Sequence, residues 1–325
     1  MLMKKKYFLP FIICYCILIS CSVEPVKEEG INSPSRESLS LNKEVMRGRH
    51  VFEDGTIYEG ELVLGKPNGF GNRELLNGDL YEGQHKDGFA HGHGTMRYKS
   101  DQELDSYVGS WKSGRRDGFG TLILKDSSRF IGDWESDSLH FGEFQGTDGT
   151  IMTGNWSNEY LAEGIMRLVD GSEFSGKFVE QGMFQHGSLL LGNGDHYVGR
   201  FIDNKYSGKG ILTKVDGGTY VGEFVEGLFT GYGVLKEPND SLYSGEFIDG
   251  YPHGEGMQSD VSGVTYTGNW VKGEKHGLGS LDFGDGTYFT GEFRQGLAYN
   301  GLYDWGEGVQ TDSYQDENGN WLDRE

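Results

Sequence analysis

The sequence predicts an all-β chain: an elongated, single-layer β-meander of about eleven hairpins, each of about 23 residues. Three observations predict it. Glycine supplies 54 of 325 residues, more than twice the usual share of roughly 7%. Aromatic residues make up 13% of the chain although the whole hydrophobic set is only 35%. An aromatic-x-glycine motif recurs in phase from residue 58 to residue 291. A fixed period of this length marks a repeat architecture, not the two or so globular domains that length alone suggests. Only 6 prolines beside so many aromatics argue against disorder, and glycine without a G-X-Y period excludes collagen.

Residues 1–20 read as an address. Lys4, Lys5 and Lys6 precede an apolar run from Tyr7 to Ile19, a charged start and short apolar core of the secretory kind. The run is too short to span a bilayer comfortably. It ends in Leu18, Ile19, Ser20 and Cys21, which resembles the lipobox of bacterial lipoproteins, with Ile19 bulkier than the commonest residue there. That resemblance implies removal of residues 1–20, lipidation of Cys21 by acyl chains such as palmitate, and anchoring without spanning. Cys14 and Cys16 would leave with the leader, taking the charge from −21 to −24 with the three lysines. The mature chain would then hold no disulfide, thiolate metal site or cysteine nucleophile. Ser22 in place of aspartate leans towards the outer membrane. Residues 21–50 are polar, rich in Ser and Glu, and without hydrophobic period; they read as the lipidated cysteine and a flexible tether.

Residues 51–305 form the array. Position zero of each repeat is Tyr58, Tyr81, Tyr107, Phe130, Met152, Phe174, Tyr197, Tyr220, Tyr243, Tyr266 or Phe289. Two residues on there is always glycine: Gly60, Gly83, Gly109, Gly132, Gly154, Gly176, Gly199, Gly222, Gly245, Gly268 and Gly291. Four residues on comes Trp111, Trp134, Trp156, Phe178, Phe201, Phe224, Phe247, Trp270 or Phe293, with Leu62 and His85 as the exceptions. Positions zero, two and four share one face of a strand, so that face reads aromatic, glycine, aromatic. The bare glycine leaves a slot where a neighbouring ring can lie against backbone, and rings of successive repeats can stack into two ladders. Seven residues after position zero comes a turn, with Gly65, Gly88, Gly114, Gly227, Gly250, Gly273 and Gly296, or Asp137 and Asn204, residues that tolerate positive φ. A second strand follows with Gly-x-Gly, from Gly69 and Gly71 to Gly277 and Gly279, and Asp-Gly turns such as Asp54-Gly55 and Asp285-Gly286 lead into the next unit.

These residues resemble the MORN repeat (membrane occupation and recognition nexus), whose pattern is close to Tyr-x-Gly-x-Trp/Phe-x-x-Gly-x-x-x-Gly-x-Gly. Residues 243–256, YSGEFIDGYPHGEG, match it at every defined position. The repeats opening at Phe130, Met152 and Phe174 depart from it: the first two are a residue short and lose Gly-x-Gly, and the third has Gln185 where glycine is expected. Residues 306–325 are an acidic tail, expected to cap the array as repeat proteins require.

Chemistry is sparse. There is no Gly-x-Ser-x-Gly elbow, and the Ser-x-x-Lys spacing of Ser40 and Lys43 falls in the polar tether. The Gly-x-Gly pairs lack the helix start and lysine that phosphate binding needs. His91, His253 and His276 recur at one repeat position, but those of adjacent hairpins sit about two strand spacings, near 10 Å, apart, too far to share a zinc ion. No enzyme, metal or cofactor is expected, and a net charge of −21 excludes general affinity for nucleic acid. The reading is a membrane-anchored, non-catalytic protein-binding or scaffolding module at the bacterial cell envelope, with an envelope protein as partner. Peptidoglycan or polysaccharide is the alternative ligand, with Tyr160, Tyr206, Phe229, Tyr232 and Tyr251 as candidate surface aromatics on the opposite face near the turns. A lipid-headgroup module is the third reading, disfavoured by the negative charge.

Overall fold

A computed structural model of the chain describes residues 45–306 and 308–323. The leader, Cys21 and most of the expected tether lie outside the described residues. What is described is nearly all β: twenty-five strands and one 3-10 turn, Glu180–Gly182. Two compact units divide them. The first takes the described residues up to Thr147 together with Trp156–Tyr160, and the second takes Asp148–Asn155 and Leu161 onward. Within each, strands pair antiparallel with their neighbours in sequence: Ile57–Val63 with Lys66–Glu74 in the first, Leu242–Ile248 with Tyr251–Ser259 in the second. The expected meander of hairpins is what forms.

Turn chemistry sets the register. Asp249 and Gly250 both have positive φ, 51° and 87°, as do Asp87 and Gly88 at 51° and 93°. These are the two-residue mirror-image turns whose twist matches that of the flanking strands. The sequence marked the second of these residues; the first is also left-handed even as Leu64, Glu226 or Lys272.

In this register the glycines of successive strands fall opposite one another. Gly60 pairs with Gly71, Gly71 with Gly83, and Gly83 with Gly94. The second unit repeats this with Gly233, Gly245, Gly256 and Gly268. Each strand on this line up to Leu297–Asp304 contributes one glycine, forming a belt without side chains. The three divergent repeats keep it, through Gly132 with Gly142, Gly154 against Gly164, and Gly176 with Gly187.

What the divergent repeats change is the bulge. In Tyr repeats the first glycine of Gly-x-Gly is left-handed, with φ from 58° to 99°, and two residues stand unmatched against the partner strand. Gly245 pairs with Gly256 but Glu246 pairs with His253, leaving Gly254 and Glu255 extra. In the repeats opening at Phe130, Phe174 and Phe289 only one residue is extra: His140, Gln185 or Tyr299. A single-residue bulge needs no left-handed glycine, so none is kept.

Two boundaries move. Residues 45–50, placed by the sequence in the tether, form with Val51 the strand Val45–Val51, paired with Ile57–Val63 through Gly48 and Gly60. Beyond 305, Gln310–Gln315 and Trp321–Asp323 pair as a further hairpin, with Ser313 opposite Gly301. Trp321 closes on Phe289, Tyr303 and Phe283 with ring centroids 5.0, 4.8 and 6.0 Å away.

Candidate functional site

The glycine slot is filled, but not by a neighbour's ring. Each position-zero tyrosine folds over the glycine pair of its own hairpin. A Cβ on Gly60 or Gly71 would lie 2.4 or 2.5 Å from the Tyr58 hydroxyl oxygen, and Gly199 and Gly210 stand likewise beneath Tyr197. From there the hydroxyl reaches backbone. Tyr81 donates to the Gln84 carbonyl at 2.9 Å, Tyr197 to Arg200 at 3.0 Å, Tyr243 to Glu246 at 3.0 Å and Tyr266 to Asn269 at 2.9 Å. Tyr58 and Tyr220 also face a second carbonyl, that of Asn68 or Thr230, across the bulge. Burial pushes the Tyr107, Tyr197, Tyr220 and Tyr266 hydroxyls up to about 12, so they remain donors at any ordinary pH.

The two expected ladders are one zipper. Tyr220 meets Phe224 of its own repeat and Phe247 of the next edge-to-face, both with centroids 5.1 Å away and planes at 88° and 86°. Tyr243 does the same with Phe247 and Trp270. In the first unit Tyr81 meets Trp111, and Tyr107 meets Trp111 and Trp134. Perpendicular packing places the positive ring edge on the negative ring face. Where position four is tryptophan, its Nε1 donates to a belt carbonyl: Trp111 to Gly94 at 3.1 Å and Trp270 to Gly256 at 3.2 Å.

The residue nine positions after each start closes the zipper from outside. Tyr206 lies flat on Tyr197 at 3.8 Å and 12°, and Phe229 on Tyr220 at 3.8 Å and 9°. These two candidate surface aromatics are therefore half-buried lids on the zipper face, not free rings on the opposite one. Register pairing decides it, because Tyr206 stands opposite Phe201 and Phe229 opposite Phe224. Arg116 fills the same place over Trp134, its guanidinium 4.5 Å from the ring and its Nε 3.3 Å from Asp137. Tyr160 is half-buried, while Tyr232 and Tyr251 are exposed. His85 occupies position four between Tyr58 and Tyr81, with centroids 4.9 and 5.0 Å away. Burial holds its imidazole down to about 4, and its Nε2 has no hydrogen-bond partner.

Positions one, three and five of each first strand, with the residues paired to them, face the other way, and there the units differ. In the second unit Val198 pairs with Ile211, Ile211 with Val221, and Val221 with Val234. All four are exposed. A parallel row nearer the turns pairs Val225 with Leu228 and Ile248 with Tyr251, with Val225 and Tyr251 each 58% exposed. Between the rows stand the exposed carboxylates Glu223 and Glu246. In the first unit the same rows are mixed: Glu59 stands opposite Asn72, Glu82 opposite Thr95, Lys112 opposite Arg115, the exposed Val108 opposite Thr121, and the exposed Phe89 opposite Lys86. The hairpin does not require apolar side chains there, yet the second unit has them. Alternation puts Val198 and Val221 on this face, but that Ile211 and Val234 stand beside them depends on register, which spacing alone does not give.

At the opposite end of the hairpins, carboxylates close turns. Asp54, Asp170 and Asp285 accept the backbone N–H two residues on at 2.9 Å each. Among the described residues no three His, Cys, Asp or Glu side chains are grouped to hold a metal ion, and no helix is long and apolar enough to cross a membrane.

Comparison with known proteins follows the bulge. The MORN repeat family matches residues 58–79, 81–102, 107–129, 197–219, 220–241, 243–265 and 266–288, the seven repeats with tyrosine at position zero and a two-residue bulge. MORN repeat-containing protein 3 of Xenopus laevis is 37% identical over 71 residues, 20% of this chain and 29% of that protein. Human alsin is 32% identical over 91 residues, 27% of this chain and 5% of that protein. The chain thus spans less than a third of the length of these relatives. Among solved structures, the TCP10 domain of Danio rerio CPAP aligns over 75% of this chain and 93% of that one at 12% identity, with a TM-score of 0.22. The SAS-4 TCP domain of Drosophila melanogaster, solved with a proline-rich motif of Ana2, aligns over 66% and 96% at 12% identity, with a TM-score of 0.23. Register, bulge and family match coincide repeat for repeat: the chain carries seven MORN repeats.

Proposed function

We propose that this protein is a membrane-associated, non-catalytic protein-binding module, lipid-anchored through Cys21 at a bacterial cell envelope. One observation carries the binding part. The aromatic side chains at positions zero and four are spent on the zipper, while the second unit presents exposed aliphatic rows that the hairpin itself does not need. Extended repeat surfaces of this kind suit recognition of another chain. The anchoring part rests on the sequence from Lys4 to Cys21. The glycan reading loses support because Tyr206 and Phe229 are engaged by Tyr197 and Tyr220. It retains only the exposed Tyr232 and Tyr251.

The test uses the full chain in cells, with photo-crosslinking residues at Val225, Tyr232 or Tyr251, and at Phe89 for comparison. A discrete protein adduct from the second-unit sites supports the reading, and adducts of peptidoglycan or polysaccharide instead would sink it. Cys21→Ser is expected to move the chain from the membrane to the soluble fraction and to abolish labelling by an alkyne palmitate. Retention in the membrane would refute the anchor.

A further inference from the structure

Resting on the protein-binding reading, we infer that the outward face of the second unit is a docking site for a cationic amphipathic helix of a partner protein. Three features select that occupant. The first is geometry. The row Val198, Ile211, Val221, Val234 runs across four paired strands, one side chain every 4.8 Å or so. A helix presents one side chain of a stripe every three or four residues, a rise of about 5 Å. A helix of three turns laid across the strands therefore meets one aliphatic side chain per strand.

The second feature is charge. Glu223 and Glu246 stand two residues along from Val221 and Ser244 on the same face, about 7 Å from the aliphatic row. Lys or Arg on the flank of the helix reaches them, and the methylene stems of those residues then cross the second apolar row at Val225 and Ile248. An acidic flank would face these carboxylates in a chain of net charge −21. The same carboxylates, set between the apolar rows, count against a bilayer surface.

The third feature is the contrast between units. The first unit has the same strands, belt and zipper, and places Glu59, Glu82, Lys86 and Lys112 at equivalent positions. Its Val108 and Ile131 in that row are separated by Thr121, so four aliphatic side chains on consecutive strands occur only in the second unit among the described residues. The aliphatic rows are thus a property of this face and not of the repeat.

The probe is a labelled 18-residue Leu/Lys peptide of amphipathic helical pattern, titrated into the purified full chain by fluorescence anisotropy, with a Leu/Glu peptide of the same pattern beside it. Val221→Asp with Val234→Asp is expected to weaken Leu/Lys binding at least tenfold, whereas Phe89→Asp with Val108→Asp in the first unit leaves it within twofold. Glu223→Lys with Glu246→Lys is expected to lose the Leu/Lys peptide and gain the Leu/Glu one. An unchanged melting temperature shows that these exposed substitutions leave the fold intact. Equal weakening by both aspartate pairs, equal binding of the two peptides, or no binding overturns the inference. So does vesicle binding (phosphatidylcholine with phosphatidylglycerol) that requires Val221 and Val234, which would assign the face to lipid. A crosslinked partner mapped elsewhere would overturn this site while leaving the protein-binding reading standing.

Discussion

A Cβ placed on Gly256 would lie 2.3 Å from the hydroxyl oxygen of Tyr243. That closeness joins the two most regular features of the sequence. The ring can cover its own hairpin only because two opposed residues lack side chains, and its hydroxyl finds a carbonyl only where the bulge turns the backbone towards it.

Gly256→Ala is accordingly expected to destabilise its hairpin by about 3 kcal/mol or more, since neither the ring nor the opposed Gly245 backbone can yield. Gly208→Ala is the comparison: it has φ of +63° and nothing within 4 Å, so only the left-handed backbone costs, about 1–2 kcal/mol. Arrays open locally, so amide exchange of the affected hairpin is the measurement. Equal losses at the two sites would refute the ring-over-glycine account.

Tyr107→Phe should cost about 1 kcal/mol, the net worth of one hydrogen bond, because its hydroxyl donates to Ser110 at 3.2 Å. A urea titration monitored by tryptophan fluorescence reads it through Trp111 and Trp134. Phe130 and Phe174 belong to single-residue bulges, where a tyrosine hydroxyl gains no such carbonyl. Phe174→Tyr is expected to destabilise, and a gain in stability would break the link between hydroxyl and bulge.

His85 makes the first unit sensitive to acid. Its imidazole takes up a proton near pH 4 when folded and near 6.5 when unfolded. The unfolded chain therefore binds more protons between these values. The contribution of His85 is complete above about pH 6.5 and falls by on the order of 3 kcal/mol as pH approaches 4. Nearby Arg73 and the rings of Tyr58 and Tyr81 offer the imidazolium no anion. His85→Phe restores the usual aromatic and should remove this part of the pH dependence, leaving that of the carboxylates. Identical melting profiles of both chains between pH 4 and 7 would exclude it.

Arg116→Phe is expected to change stability by less than about 1.5 kcal/mol, because a phenyl ring can replace the guanidinium over Trp134 as Phe229 covers Tyr220. Asp137 keeps the Arg116 backbone N–H at 2.9 Å in either case. Arg116→Ala uncovers both Tyr107 and Trp134 and should cost about 3 kcal/mol. Chemical denaturation of the three chains reads both changes, and repeating it in high salt is expected to alter the unsubstituted chain little, for a pair this buried.

Much of this architecture is legible in the chain because glycine leaves an unambiguous mark. The phase of the hairpins, their turns and the buried face all follow from residues such as Tyr243, Gly245 and Phe247. Less legible is which ring fills which slot, since Tyr58 covering its own Gly60 and Gly71 depends on a register that spacing alone does not give. The strand Val45–Val51 was hidden because its only repeat signal is Gly48, without an aromatic. The hairpin after residue 305 was hidden because Ser313 stands where the belt has glycine. Tyr206 and Tyr251 look alike in sequence, one repeat position apart, and only cross-strand pairing sends one to the zipper and the other to solvent.

The glycine belt also governs how such a gene can grow. Any block of one full period, cut at equivalent points in two tyrosine repeats and pasted in, presents the same bare line and the same ring to each neighbour. A missing residue is absorbed where a turn or bulge can take it up, as in the repeats opening at Phe130 and Met152, which are a residue short and still set Gly132 against Gly142 and Gly154 against Gly164. Within a strand the same slip would thrust a side chain onto the line, so a ruler of this design keeps its marks in the strands and its slack in the loops.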